Sequence, residues 1–149
     1  ATMIATDPTV NVALSKIRAY YLGNQDVKGM YGTGGGDTMN VGLVMRQYDL
    51  PKKGVHGGGF DLQPRTLEAV HDGFLDFAID QQPYLQGFYT VMEMFAYKVS
   101  GGLVGAADIN TGLKFVTKSS VPPYLSAKTR YEGSSATPMI VPRSGPIGG

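Results

Sequence analysis

Short apolar runs with strand character alternate along this chain with longer stretches whose apolar residues recur every three or four positions. That alternation constrains the fold of the 149 residues more than any other feature. Strands separated by helices of this length build a mostly parallel sheet flanked by helices. The strand-like runs are residues 2–6, 27–31, 55–60, 76–80 and 113–117. The first helical stripe is Val10, Ala13, Leu14, Ile17 and Tyr21, entered through Asp7-Pro8 with Asp7 as the expected cap and left at Gly23. A second helix is expected over about 37–48, capped by Asp37 and burying Val41, Val44 or Met45, and Tyr48. A third starts at Pro64 and turns Leu67, Val70 and Phe74 inward. The fourth has the strongest stripe: Leu85, Phe88, Tyr89, Met92, Phe95, Ala96 and Val99, ended by Gly101-Gly102. Beyond Val121 the pattern becomes irregular. The predicted class is α/β, a three-layer sandwich around a mostly parallel, doubly wound sheet. Residues 1–133 form one domain, and 134–149 are an extended or disordered tail.

Composition narrows the function. With 42% hydrophobic residues the chain can build a core. A net charge of +1 gives no footprint for nucleic acid. Zero Cys excludes disulfides, thiolate zinc sites and thiol nucleophiles. No apolar run reaches the roughly 18 residues of a membrane span. Gly is abundant, and ten of the 21 lie between Gly29 and Gly59. Gly57-Gly58-Gly59 inside a strand predicts close approach of another backbone or of a ligand.

In parallel sheets ligands bind beyond the carboxyl ends of the strands. Here that rule selects the loops 32–37, 60–64 and 80–84, which hold Asp37, Asp61 and Gln81. The Gly-rich loop 32–36 invites a phosphate, but Asp37-Thr38 stands where a phosphate loop needs Lys-Ser/Thr, and no dinucleotide pattern fits. His56 and His71 lack metal-ligand spacing, and no Ser sits in a nucleophile elbow. Asp76 and Asp80 bracket a strand and read more simply as a loop residue and a surface charge. No catalytic residue, metal site or cofactor is predicted. Asp61 and Gln81 suit a polyol: a carboxylate accepts hydrogen bonds, and a carboxamide both donates and accepts. Phe60 and Tyr84, with Phe88, would offer apolar faces to a sugar ring.

The segment Gly58-Gly59-Phe60-Asp61-Leu62-Gln63-Pro64, with Phe77-Ala78-Ile79-Asp80-Gln81-Gln82-Pro83-Tyr84-Leu85-Gln86-Gly87, resembles the carboxyl-terminal lobe of periplasmic sugar-binding proteins of the ribose-binding type. The resemblance extends over about residues 1–133. Thr111–Lys118 looks like the closing strand of that family. It implies one lobe of a type I periplasmic binding fold, with Asp61 and Gln81 bonding sugar hydroxyls. Gly36-Asp37 stands where the family often has Asn-Asp, so a side-chain contact from position 36 is missing.

The same resemblance implies a monosaccharide ligand, an ABC permease as partner of the intact protein, and a periplasmic or extracellular location at the membrane. It also implies that the N-terminal lobe lies upstream of Ala1. Helix 82–99 would then lack its native cover, and it is expected to repack on its own lobe or on another chain, concretely as a homodimer. Alternatives are the effector domain of a lactose-repressor-like regulator, or an enzyme acting on a phosphorylated substrate at loop 32–37.

Overall fold

The computed structural model describes residues 1–7, 9–105 and 108–126. The expected tail at 134–149 lies outside the described residues. The order is α1 (Val10–Gly23), β1 (Gly29–Gly32), α2 (Gly35–Gln47), a 3-10 turn (Leu50–Lys53), β2 (His56–Phe60), α3 (Pro64–Asp72), β3 (Phe77–Asp80), α4 (Pro83–Val99), β4 (Lys114–Thr117) and α5 (Pro122–Ser126).

The four strands lie in the order β1-β2-β3-β4. β1, β2 and β3 run parallel, and β4 closes the sheet antiparallel to β3. The chain is therefore α/β with a mostly parallel open sheet, as its alternation implies. α2 and α3 pack on the sheet, α1 packs on α2, and α5 packs on α3. One core unites Ile17 and Tyr21 of α1, Val41, Val44 and Met45 of α2, Leu67 and Val70 of α3, and Met30, Ala78 and Val116 of the sheet.

The glycines of β2 let this sheet close. A Cβ on Gly59 would lie 2.3 Å from the carbonyl oxygen of Gly32, its partner in the β1–β2 register. A Cβ on Gly58 would lie 2.8 Å from the Phe77 ring. The expected close approach is a backbone on one side and an aromatic ring on the other.

The opposite face of the sheet carries Tyr31, Phe77 and Phe115. Their rings follow one another at 6.1 and 5.3 Å between centroids. Tyr31 is 58% exposed and Phe115 56%, so among the described residues no helix covers them.

Several local expectations differ from what is observed. Residues 2–6 form no strand, because β1 occupies its sheet edge without taking a further partner from them. α1 is capped at Thr9, whose N–H donates to Asp7 Oδ1 at 2.8 Å. α2 starts two residues before Asp37, with Gly34 at the cap position. Asp37 sits in its first turn, where a negative charge suits the helix dipole. After Val121 the chain forms α5, whose Tyr124 packs on the core.

α4 is the largest difference. It spans 17 residues and buries none of them. The alternative in which this helix repacks on its own lobe is therefore overturned. α2 and α3 cover one face of the sheet, and the stripe of α4 stays exposed to solvent.

Candidate functional site

β2 and β3 are parallel neighbours, so their carboxyl ends deliver Asp61 and Gln81 to the same edge. Gln81 Nε2 donates to Asp61 Oδ1 at 2.7 Å. Asp61 holds its place through its own N–H, which donates to Ile79 O at 2.9 Å. Its backbone is left-handed, φ 72°. For a non-glycine residue that conformation costs on the order of 1–2 kcal/mol. Strain of this kind persists where neighbouring structure enforces it, often at binding sites.

The loop after β1 supplies the third wall. A Cβ on Gly35 would lie 3.0 Å from Asp61 Oδ2 and 3.1 Å from Gln63 Nε2. Glycine thus leaves these two polar groups room beside the α2 terminus. Sequence reasoning missed Gln63, although it stands two residues after Asp61 in the same loop.

Gln81 is held from further along the chain. Its carbonyl accepts from Gln86 Nε2 at 2.9 Å and from Thr111 Oγ1 at 3.2 Å. Gln82 follows in left-handed backbone, φ 55° and ψ 55°. Its N–H donates to Asp80 Oδ1 at 2.8 Å, and its Nε2 donates to Thr111 O at 2.7 Å. Gln81, Gln86, Thr111 and their neighbours in 108–113 line an open cleft of about 460 Å³. No spacing in the sequence pointed to Thr111, because its contact is made across thirty residues.

The other expected site residues are placed less centrally. Asp37 lines a separate cavity of about 160 Å³ with Asp7 and Asn40, on the side of α1. It makes no hydrogen bond to Asp61 or Gln81. Phe60 ends β2 and is half-buried. Tyr84, in the first turn of α4, is 47% exposed and stacks with Phe88 at 6.4 Å.

Asp76 and Asp80 stand at opposite ends of β3 and are not a catalytic pair. Asp76 Oδ2 accepts from Gly57 N–H and lies 3.1 Å from His56 Nδ1. His71 lies beside Asp72, and both histidines are surface partners of carboxylates. No cluster of three His, Cys, Asp or Glu able to hold a metal occurs among the described residues.

Chemically, the edge sets free acceptors beside a free donor. Asp61 Oδ2 and Gln81 Oε1 make no hydrogen bond within the described residues. They offer acceptors beside the second N–H of the Gln81 carboxamide. Vicinal hydroxyls, which donate and accept, match that alternation.

The family model for the periplasmic binding protein domain matches residues 1–102. The chain is 44% identical over 137 residues to the xylose/arabinose-binding protein XylF of Sulfolobus acidocaldarius, covering 89% of this chain and 34% of that protein. It therefore spans about a third of the length of the curated relative it matches. Among solved structures it is similar to GanP, a glucose-galactose binding protein from Geobacillus stearothermophilus, at 29% identity and a TM-score of 0.66. That match covers 77% of this chain and 40% of GanP. An ABC transporter solute binding protein from Agrobacterium vitis with bound D-fucose matches at 25% identity and a TM-score of 0.72. It covers 84% of this chain and 42% of that protein.

Proposed function

Because the chain belongs to the periplasmic binding protein domain family, we propose that it is the carboxyl-terminal lobe of a monosaccharide-binding protein that serves an ABC importer outside the cytoplasmic membrane. The observation that carries this reading is the 2.7 Å bond between Gln81 and Asp61 at the carboxyl edge of the sheet. It leaves one carboxylate oxygen and one carboxamide oxygen for sugar hydroxyls. The relatives support a monosaccharide, since those named above bind xylose or arabinose, glucose or galactose, and D-fucose.

The lobe binds and does not catalyse. Asp61 accepts from one hydroxyl, and Gln81 bridges that hydroxyl and its neighbour. Phe60 and Tyr84 border the ring, and Asp37 acts through the turn that carries Gly35. A second, amino-terminal lobe supplies the remaining contacts, and closure of the two on the sugar creates the form that the permease recognises. A regulator of the lactose-repressor type has less support, because the relatives above are solute- or sugar-binding proteins.

α4 supports the same architecture from another direction. Phe88, Met92, Phe95 and Val99 are 48, 46, 61 and 66% exposed. In the two-lobed protein this surface meets the other lobe. In the isolated chain it pairs with a second copy, and light scattering at the dimer mass is the expected result.

Half a site binds weakly. Calorimetry of this chain against pentoses and hexoses is expected to give dissociation constants of about 1 mM or weaker, roughly −4 kcal/mol. Asp61→Ala is expected to remove the heat. Micromolar affinity would contradict a half-site. Absence of heat at any sugar concentration tested would contradict a sugar edge.

A further inference from the structure

Gln81 lies beyond the last residue of β3, where no ladder bond fixes it. Its carbonyl nevertheless has two side-chain donors, Gln86 Nε2 and Thr111 Oγ1. The next residue returns one of these contacts: Gln82 Nε2 donates to the carbonyl of Thr111 at 2.7 Å. Two bonds therefore cross between 81–82 and Thr111, each from a side chain to the other segment's backbone. β4 begins only at Lys114, which pairs with Asp80. Segment 108–113 is mostly exposed, so packing does little to hold it. Left-handed Gln82 would relax if its side chain and N–H lost their acceptors.

We propose that Thr111 and Gln82 are positioning residues for the ligand edge: their reciprocal pair of hydrogen bonds clamps the strand leaving β3 and thereby aims the Gln81 carboxamide at Asp61. The inference deepens the sugar-binding reading and names the residues that set the geometry of its site. Gln86 is the third point of support, fixing the same carbonyl from the first turn of α4. When the clamp is broken, Gln81 turns toward the open cleft and the acceptor–donor array with Asp61 is lost. A ligand pulling on Gln81 would in turn be felt at Thr111, thirty residues away.

The test uses this chain without sugar, so that it does not depend on the ligand. In a ¹⁵N spectrum the Gln81 Nε2 protons, held by Asp61, are expected to be shifted from free glutamine and slow to exchange. Thr111→Val keeps the shape and removes the donor. It should move the Gln81 signals toward free carboxamide and speed their exchange about tenfold. Thr111→Ser should restore them. Gln82→Ala should act like Thr111→Val, giving a second route should either variant fold poorly. Unchanged Gln81 signals in Thr111→Val and Gln82→Ala, with native dispersion elsewhere, would overturn the clamp. Loss of the signals with equal loss in Thr111→Ser would also overturn it, since the hydroxyl would then not be the cause. Should the clamp hold while no sugar perturbs Gln81, the sugar reading fails and the positioning role stands.

Discussion

Asp61 and Gly59 are two residues apart, and each holds backbone that most side chains avoid. At Gly59 the cause is steric: the absent Cβ would strike Gly32 O at 2.3 Å and Thr38 Oγ1 at 2.4 Å. The first of these is a backbone atom within a register pair, which cannot move without opening β1 from β2. Gly59→Ala should therefore cost more than about 3 kcal/mol in urea unfolding. Gly36 provides the contrast, because a Cβ there meets nothing within 4 Å. Gly36→Ala, inside the first turn of α2, should be neutral or stabilising by up to about 1 kcal/mol. Equal effects at the two positions would refute the close-approach account. At Asp61 the left-handed backbone is balanced by the N–H bond to Ile79 and serves to swing the carboxylate toward Gln81. The residue types Asp61 and Gln81 were readable from their places after two strands. Their mutual bond, the neighbour Gln63 and the support from Thr111 were not, because these depend on loop backbone that carries no periodicity.

Among the elements, α4 separates what a pattern encodes from what it leaves open. Its stripe is evident in the sequence, and the helix is observed over Pro83–Val99. What covers the stripe is not encoded in the period, and the helix buries no residue on its own lobe. The miss at residues 2–6 has a related cause, since a short run becomes a strand only where a sheet edge receives it. α1 and α3 were legible because their stripes meet a core that the same chain supplies. These differences set opposite expectations for substitutions. Phe95→Glu, on the exposed helix, should leave folding stability within about 0.5 kcal/mol and convert the dimer proposed above to monomer in light scattering. Leu67→Ala, 1% exposed in α3, should cost about 2–5 kcal/mol. A dimer that survives Phe95→Glu and Met92→Glu together would remove α4 from the interface.

At the scale of the whole molecule, α4 and the Tyr31–Phe77–Phe115 face of the sheet are left uncovered among the described residues. Aromatic side chains offer roughly 150–250 Å² each, so a face of this kind is costly to leave in water. The chain also spans only 34% of its curated relative. Both facts agree with the two-lobed arrangement proposed above, which the sequence implied through resemblance rather than through composition or spacing. The α/β class was legible from alternation. The exposed aromatic face was not, because Tyr31, Phe77 and Phe115 read the same in sequence with or without a helix over them.

On the proposed reading, the ligand edge of this lobe is where loops 32–37, 60–64 and 80–84 meet. Titration of the ¹⁵N-labelled chain with a monosaccharide, followed residue by residue, tests it most directly. Shifts at millimolar sugar are expected to concentrate at Gly35, Asp61, Gln63 and Gln81, and to be abolished by Asp61→Ala. Shifts centred elsewhere, or unaltered in Asp61→Ala, would contradict it.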